Sequence, residues 1–334
     1  MPATVTGVER LHVVSPPLAD DELSQGASLA RALIDALAGS VRAPRPALTS
    51  AVACMLAGGH LLIEDVPGVG KTVLAKSLAR AAGCVFSRLQ CTADLLPSDV
   101  TGVHVYDQRT QTFEFRPGPV FANFLLADEI NRASPKTQSA LLESMEEAQV
   151  TVDGHTRMLP KPFMVVATMN PVEYEGTFAL PEAQLDRFAL RLTIGYPPPE
   201  QEARMIVDLS AHDPVEDVHP VADDLRIRHA IDAAGRVYVD PAIARYVVDL
   251  VTATREDRRL VLGASPRAGL TLLRVAKAVA LIDGQGYVIP EHVKAMAVPV
   301  LAHRLVMGPE ARVARVSGED IVEAALGGIR APAV

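Results

Sequence analysis

The sequence predicts an α/β fold, with a five-stranded parallel sheet between helices and a smaller all-helical part after it. Within the first 196 residues, five short apolar runs alternate with helical patterns or loops. Short continuous apolar runs between helices are typical of strands that are buried on both faces of a parallel sheet. After the prolines at 197–199 only helical patterns remain, so the second part begins there. The predicted strands are residues 60–63, 84–89, 123–127, 163–168 and 188–194.

Helical patterns precede and separate these strands. Apolar residues recur at helical spacing over 23–38 and 48–57, and a proline-containing break at 40–46 divides the two segments. Helices are also predicted over 73–82, directly after the first strand, and over 135–148. Helices in these positions can cover both faces of the sheet.

Two segments inside the sheet region alternate apolar and polar residues around a turn, which predicts β-hairpins. The first covers 103–115, with its turn at 107–110. The second covers 150–159 and has Asp153 and Gly154 at its centre, a strong signal for a two-residue turn. Both are expected to be insertions that stand off the sheet.

Five helical patterns make up the second part, and Pro241 and Pro290 each fall in a first turn, where proline is tolerated. The patterns cover 200–211, 225–235, 241–255, 266–282 and 290–303. The chain is therefore expected to divide into an N-terminal segment that is a candidate for disorder (1–26), an α/β core (27–196), a linker with a helix (197–224) and a helical domain (225–330).

Composition excludes several classes of protein. The chain has 334 residues, a net charge of −8 and only 4% aromatic residues, which argues against a dedicated nucleic-acid binder. No apolar run approaches the ~18 residues of a membrane span, and residues 1–25 lack a signal-peptide pattern, which predicts a cytosolic protein. Cys54, Cys84 and Cys91 form no C-x-x-C pair and are predicted to be buried free thiols. The histidines lack metal-ligand spacing, so no structural transition metal is expected.

Residues 64–72 read EDVPGVGKT, directly after the first apolar run. A strand that enters a glycine turn and then a helix presents backbone N–H groups to a polyphosphate. Lys71 can reach the β- and γ-phosphates, and the Thr72 hydroxyl can ligate Mg²⁺. The strict phosphate-loop pattern has Gly where this chain has Asp65. The residues predicted to contact a nucleoside triphosphate here are Pro67, Gly68, Val69, Gly70, Lys71, Thr72 and Val73.

Two later predicted strands end in polar residues. Asp128 and Glu129 follow the run at 123–127, and Asn170 follows the run at 163–168. Behind a phosphate loop, Asp128 would hold Mg²⁺ mostly through water, and Glu129 would polarise the water that attacks the γ-phosphate. Asn170 would lie beside the γ-phosphate and help to orient that water.

Two arginines are candidates for stabilising charge in the transition state. Arg187 could act as an arginine finger, either in its own site or in a neighbour's; an ion pair with Asp186 or Glu182 is the alternative. Arg267 opens a predicted helix and could contact phosphate, although its spacing alone does not decide this.

Five segments together resemble the MoxR family of AAA+ ATPases, over residues 27–307. The stretch LADEINRA separates this family from most other AAA+ proteins. The matching segments are HLLIEDVPGVGKT (60–72), LADEINRA (126–133), QSALLE (138–143), ATMNP (167–171) and LPEAQLDRF (180–188).

The resemblance implies an AAA+ core with a small helical lid, and ATP with Mg²⁺ as ligands. Lys71 and Thr72 would belong to Walker A, Asp128 and Glu129 to Walker B, and Asn170 would be sensor 1. Arg187 would be a trans-acting finger, Arg267 would be sensor 2, and Arg132 would be a second charge at the subunit interface. Family members form hexameric rings and act like chaperones, often beside proteins with a von Willebrand factor A domain.

The resemblance also explains one departure and leaves another. Family members commonly have Asp or Gly at the position of Asp65. Near the adenine they usually have Val-Gly-Gln, whereas this chain has VRAPRP at 41–46, so the adenine contacts and the preference for ATP over GTP stay unassigned.

Three functions remain open from the sequence. The first is ATP-driven remodelling of partner proteins by a ring in which a neighbour completes each site. The second is a binding module that nucleotide gates with little hydrolysis. The third is a motor subunit that acts on nucleic acid or in metal chelation; the acidic charge argues against the nucleic-acid form.

Overall fold

The sheet has five parallel strands, as predicted. The computed structural model describes residues 17–171, 177–196, 199–200, 202 and 213–333. The strands are β1 (Leu61–Glu64), β2 (Phe86–Gln90), β5 (Phe124–Asp128), β8 (Met164–Met169) and β9 (Leu190–Leu192). Their spatial order is β2-β5-β8-β1-β9, so β1 lies between β8 and β9. All five carboxyl ends therefore meet at one edge of the sheet.

Successive side chains along each strand point to opposite faces of the sheet, so they form two hydrophobic cores, one on each face. Leu61 and Ile63 belong to the larger cluster of buried residues, whereas Leu62 between them belongs to the smaller one. The same division separates Leu126 from its neighbour Leu125. Because both faces are covered, the inner strands β1, β5 and β8 are buried along most of their length, which explains their apolar runs. The edge strands β2 and β9 also carry polar residues such as Arg88 and Arg191.

Twelve helices of four or more residues are found in the described part of the chain. Helix α2 begins earlier than predicted because Pro46 occupies its first turn and does not interrupt it. The helices are α1 (Asp20–Ser40), α2 (Arg45–Leu56), α3 (Lys71–Ala81), α4 (Pro97–Thr101), α5 (Pro135–Glu147), α6 (Glu182–Leu185), α7 (Asp224–Arg236), α8 (Pro241–Glu256), α9 (Pro266–Ile282), α10 (Pro290–Leu301), α11 (Pro309–Val313) and α12 (Gly318–Gly328).

Both predicted hairpins are confirmed, and they pack on each other. The first pairs β3 (Gly102–Asp107) with β4 (Thr112–Pro117), and the second pairs β6 (Gln149–Val152) with β7 (His155–Met158). They form two-stranded sheets of their own. The guanidinium of Arg157 lies 4.0 Å from the ring centroid of Phe115, which joins the two hairpins.

The structure differs from the sequence expectations in two details. Helix α1 begins at Asp20, so residues 20–26 belong to a helix; residues 1–16 lie outside the described residues. The second part is not purely helical, because β10 (Leu260–Leu262) pairs with β11 (Val306–Met307). These strands are too short for a periodic signal, and their pairing depends on residues far apart in the chain. Most of the helix predicted over 200–211 also lies outside the described residues.

The burial of the three cysteines agrees only in part with the prediction of buried free thiols. Cys54 and Cys91 are buried and free, whereas Cys84, also free, is only half-buried and so differs from the prediction. Burial raises the pKa of the Cys54 thiol to about 12. Among the described residues, no helix combines the length and the apolar character that crossing a membrane requires.

The side chain of His60 is buried and neutral, and its hydrogen bonds connect the start of β1 with two other elements. Its Nδ1 accepts a hydrogen bond from the Val165 N–H at 3.0 Å, so its Nε2 carries the proton and donates to the Met145 carbonyl at 3.0 Å. The ring thus joins the start of β1 to α5 and β8. Burial lowers the pKa of His60 to about 4.

We predict that His60 makes the fold less stable in acid. An unfolded His has a pKa near ~6.5, so this contribution to stability is complete above that pH and is lost as the pH falls towards 4. The shift corresponds to about 3 kcal/mol. Urea midpoints at pH 7.5 and pH 5 should therefore differ less for His60→Asn than for wild type. The exposed His219→Asn variant is the control, and an unchanged pH dependence in His60→Asn would contradict the prediction.

Candidate nucleotide-binding site

The phosphate loop runs from the end of β1 to the start of α3. Gly68 and Gly70 have φ values of +86° and +93°, in the left-handed region that favours glycine. A Cβ added at either glycine would meet nothing within 4 Å, so open space lies in front of the loop. Gly70 is the N-cap of α3 and supplies no side-chain acceptor to its first amides. The loop therefore has the shape and the N–H donors of an anion site.

The other loop residues hold this geometry in place. Val69 is buried and packs into the larger core, whereas Pro67 is exposed and Thr72 and Val73 are half-buried at the start of α3. Lys71 Nζ donates to the carbonyls of Asp65 at 2.5 Å and Met169 at 3.1 Å. The lysine thus lies between the end of β1 and the end of β8.

Asp128 ends β5 and is already engaged by two side chains. Its Oδ1 accepts a hydrogen bond from Thr168 Oγ1 at 2.6 Å, and its Oδ2 pairs with Arg88 at 2.6 Å. Arg88 lies on β2, the strand next to β5. A cation that binds the Asp128 carboxylate would compete with the Arg88 guanidinium for it. Oxygen ligands such as Asp128 and Thr72 match the preference of Mg²⁺.

Glu129 stands at the strand end in a left-handed conformation, with φ of 57°. Its backbone N–H donates to Thr168 Oγ1 at 2.9 Å. Its Oε2 accepts from Gln90 at 3.3 Å and from Arg132 at 3.2 Å. The turn at Glu129 therefore aims its carboxylate along the carboxyl edge of the sheet, next to Asp128.

Asn170 follows β8 at the same edge and is buried, with 6% of its surface exposed. The phosphate loop, Asp128 with Glu129, and Asn170 follow the carboxyl ends of β1, β5 and β8, which are neighbours in the sheet. The structure thus brings the phosphate loop, Asp128, Glu129 and Asn170 together at one edge, as expected for open α/β sheets.

Arg187 and Arg267 meet elsewhere, on one carboxylate. Arg187 lies 3.3 Å from Glu146 Oε2, and Arg267 lies 3.1 Å from Glu146 Oε1. Both line a cavity of 300 Å³, together with Arg274. The alternative partner Asp186 is taken by the buried Arg304, whose Nε donates to Asp186 Oδ1 at 2.7 Å. The cavity therefore has more positive than negative charge, which suits an anion.

This arginine pair lies at the opposite edge of the sheet from the phosphate loop. Leu61 at the start of β1 pairs in register with Leu190 at the start of β9. Arg187 precedes β9, whereas Lys71 follows the far end of β1. At ~3.3 Å per residue, the strand alone separates the two by about 10 Å. Arg187 therefore cannot reach the phosphate loop of its own chain.

Comparisons with known proteins agree with this geometry. Residues 60–190 match the model of the ATPase family associated with various cellular activities (AAA), and residues 252–325 match that of the AAA lid domain. Chaperone MoxR1 of Mycobacterium tuberculosis is 42% identical, over 84% of this chain and 76% of its own. The chain belongs to the MoxR family of AAA+ ATPases.

Two further proteins extend this match. The uncharacterized protein YeaC of Bacillus subtilis is 47% identical, over 84% of this chain and 88% of its own. A crystal structure from Cytophaga hutchinsonii, of a provisionally assigned ATPase, is 36% identical and superposes with a TM-score of 0.87. The superposition covers 94% of this chain and 98% of the Cytophaga hutchinsonii chain. The core and the helical lid of this MoxR protein are thus arranged as in a solved structure.

Several side chains around the MoxR site were not found from the sequence. Gln90 and Thr168 could have been found, since Gln90 directly follows the predicted strand 84–89 and Thr168 ends the predicted strand 163–168, at the same edge as Asp128. Arg88 lies inside a strand and had no such signal. Glu146 carries no motif, and only the packing of α5 against the start of β9 and α9 places it between the two arginines.

Proposed function

We propose that this MoxR protein is a Mg²⁺-dependent ATPase whose site is completed by a neighbouring copy of the chain. The observation that carries the proposal is that Arg187 and Arg267 share Glu146 at the edge of the sheet opposite to their own phosphate loop. An arginine that cannot reach its own nucleotide can reach that of a neighbour in a ring. The proposed division is a core at 27–196, a linker at 197–224 and a lid at 225–330.

Within one chain, the carboxyl edge of the sheet would bind ATP and prepare the attacking water. The loop amides and Lys71 would hold the phosphates, and Thr72 and Asp128 would hold Mg²⁺, which neutralises charge on the phosphate oxygens. Glu129 would accept the proton of the attacking water, and Asn170 would orient it. Gln90 and Arg132 hold the Glu129 carboxylate before the water is in place.

The neighbouring chain would supply positive charge. Glu146 holds Arg187 and Arg267 side by side. A phosphate carries more negative charge than one carboxylate, so it can attract both guanidinium groups away from Glu146. Arg187 would then act as the finger and Arg267 as sensor 2, both in trans. Arg132 contacts Glu129 of its own chain, which supports a role within that site.

The partners follow from the family. The relative from Mycobacterium tuberculosis is named a chaperone, which supports remodelling or maturation of client proteins by this chain. The proposed location, the cytoplasm, rests on the sequence alone. A hexameric ring would give every phosphate loop a neighbour's arginines. Proteins with a von Willebrand factor A domain are the proposed class of client.

The proposal is tested by measuring ATPase activity per subunit over a range of protein concentrations, with Mg²⁺ and with EDTA. Activity should require Mg²⁺ and should rise with concentration as subunits assemble, with sizing by light scattering on the same samples. Activity per subunit that stays constant down to the monomer would contradict completion of the site by a neighbour.

A second function, a nucleotide-gated binding module, is favoured by one observation. Glu129 is held by Gln90 and Arg132, and Asp128 by Arg88, so both carboxylates have protein partners that compete with water and metal. In this case ATP would order a binding surface and hydrolysis would wait for a partner. It predicts tight ATP binding with negligible turnover by the isolated ring.

A further inference from the structure

Asp65 begins the phosphate loop, and its carboxylate is buried. Only 6% of the residue is exposed, although Asp is rarely buried without partners. The position is the one at which the strict phosphate-loop pattern has Gly, so the loop itself does not need a side chain here. The carboxylate must therefore serve another contact.

Three backbone N–H groups converge on that carboxylate. Oδ1 accepts from Val66 at 2.8 Å, within the loop. Oδ2 accepts from Ile194 and from Gly195, each at 2.7 Å. Hydrogen bonds to a charged acceptor are stronger than those between neutral groups. One side chain thus ties the phosphate loop to a segment about 130 positions later in the chain.

That segment is where the chain leaves the core sheet. Ile194 and Gly195 follow β9, and Gly195 has φ of +74°, so the backbone turns sharply there. Beyond it the chain continues to the lid, whose first described helix is α7. Asp65 thus holds the last two residues of the core sheet region before the chain continues towards the lid.

The main chain of Asp65 is hydrogen-bonded to Lys71 and to the Met169 carbonyl that Lys71 also contacts. Its carbonyl accepts from Lys71 Nζ at 2.5 Å, and its N–H donates to the Met169 carbonyl at 3.2 Å. Lys71 donates to that same carbonyl of Met169. A change in the position of Lys71 on binding phosphate acts directly on the backbone of Asp65.

We propose that Asp65 is a positioning residue that transmits occupancy of the phosphate loop to the segment Ile194 and Gly195, and so to the lid. This rests on the proposed function only in that the loop binds nucleotide. The backbone carbonyl of Asp65 is hydrogen-bonded to Lys71, and its carboxylate is hydrogen-bonded to the amides of Ile194 and Gly195. A shift of Lys71 is therefore passed through Asp65 to those two amides. An Asn at this position keeps the shape but turns an NH₂ group towards one of the amide donors, which breaks the tie on one side.

Hydrogen–deuterium exchange measured by mass spectrometry tests this, on peptides that cover the loop (65–74) and the core exit (192–196). In wild type, ADP with Mg²⁺ should slow exchange in both peptides. In Asp65→Asn, the core exit should exchange about tenfold faster without nucleotide, since charged hydrogen bonds are lost. At saturating ADP the loop of the variant should still become protected, while the core exit should no longer respond.

The outcomes distinguish failure of the transmission through Asp65 from failure of the proposed nucleotide site. A core exit that responds to ADP equally in Asp65→Asn and wild type overturns the transmission, as does a wild-type exit that never responds. A variant loop that stays unprotected at saturating ADP also overturns it, because Asp65 would then only form the loop. If the wild-type loop itself shows no protection, the proposed nucleotide site fails instead. Asp35→Asn, at an exposed carboxylate paired with Arg45, is the matched control.

Discussion

Replacing Glu129 with Gln is expected to stop ATP hydrolysis while leaving ATP bound. Gln has the shape of Glu but cannot accept the proton of the attacking water, and loss of a general base costs about 10²- to 10⁴-fold in rate. The phosphate loop and Asp128 are untouched, so the affinity for nucleotide should stay close to that of wild type. Single-turnover hydrolysis and equilibrium binding of a fluorescent ATP analogue on the same samples measure the two effects.

The matched control is Glu323→Gln, at an exposed glutamate on the lid helix α12. It should hydrolyse ATP as wild type does. Hydrolysis by Glu129→Gln at the wild-type rate would exclude Glu129 as the base. A wild type that already turns ATP over would exclude the binding-module function. Glu129→Gln with ATP bound is also the form to use for capturing the proposed client proteins.

Replacing Arg187 with Ala is expected to lower kcat by about 10³- to 10⁵-fold, as loss of an arginine finger does. ATP binding should persist, because Arg187 lies at the opposite edge of the sheet from its own phosphate loop. Arg267→Ala should lower kcat in the same way. Arg258→Ala is the control, since Arg258 is an exposed lid arginine outside the arginine cavity.

Mixing two inactive variants decides between action within a chain and action on a neighbour. An Arg187→Ala subunit keeps its own Glu129, and a Glu129→Gln subunit keeps its own Arg187. If the arginine acts in trans, mixed rings contain interfaces with both residues and regain activity. If mixtures stay as inactive as the separate variants while sizing shows mixed rings, the trans assignment is wrong.

Much of the candidate site could be predicted because its signals are local. The phosphate loop, Asp128 with Glu129, and Asn170 each lie within a few residues of a predicted strand end. Parallel strands bring their carboxyl ends to one edge, so these segments had to meet once the sheet was correct. The hairpin turn at Asp153 and Gly154 was equally local, and its residues have φ of 51° and 78°.

The contacts that the sequence missed all join distant parts of the chain. The pair Arg88 and Asp128, the tie from Asp65 to Ile194, and the bridge from Arg187 through Glu146 to Arg267 have no motif. Strands β10 and β11 were missed for the same reason, since three apolar residues at 260–262 resemble the end of a helix until their partner is known.

By itself, the sequence determined the fold class, the nucleotide loop and the residues at the carboxyl edge of the sheet. These depend on spacing along the chain, which covalent geometry and strand direction convert into position. Only the tertiary structure decided that Asp65 holds the core exit and that Glu146 gathers two arginines far from their own loop. Such contacts depend on how whole helices and strands pack, and packing is a property of the complete core rather than of any segment.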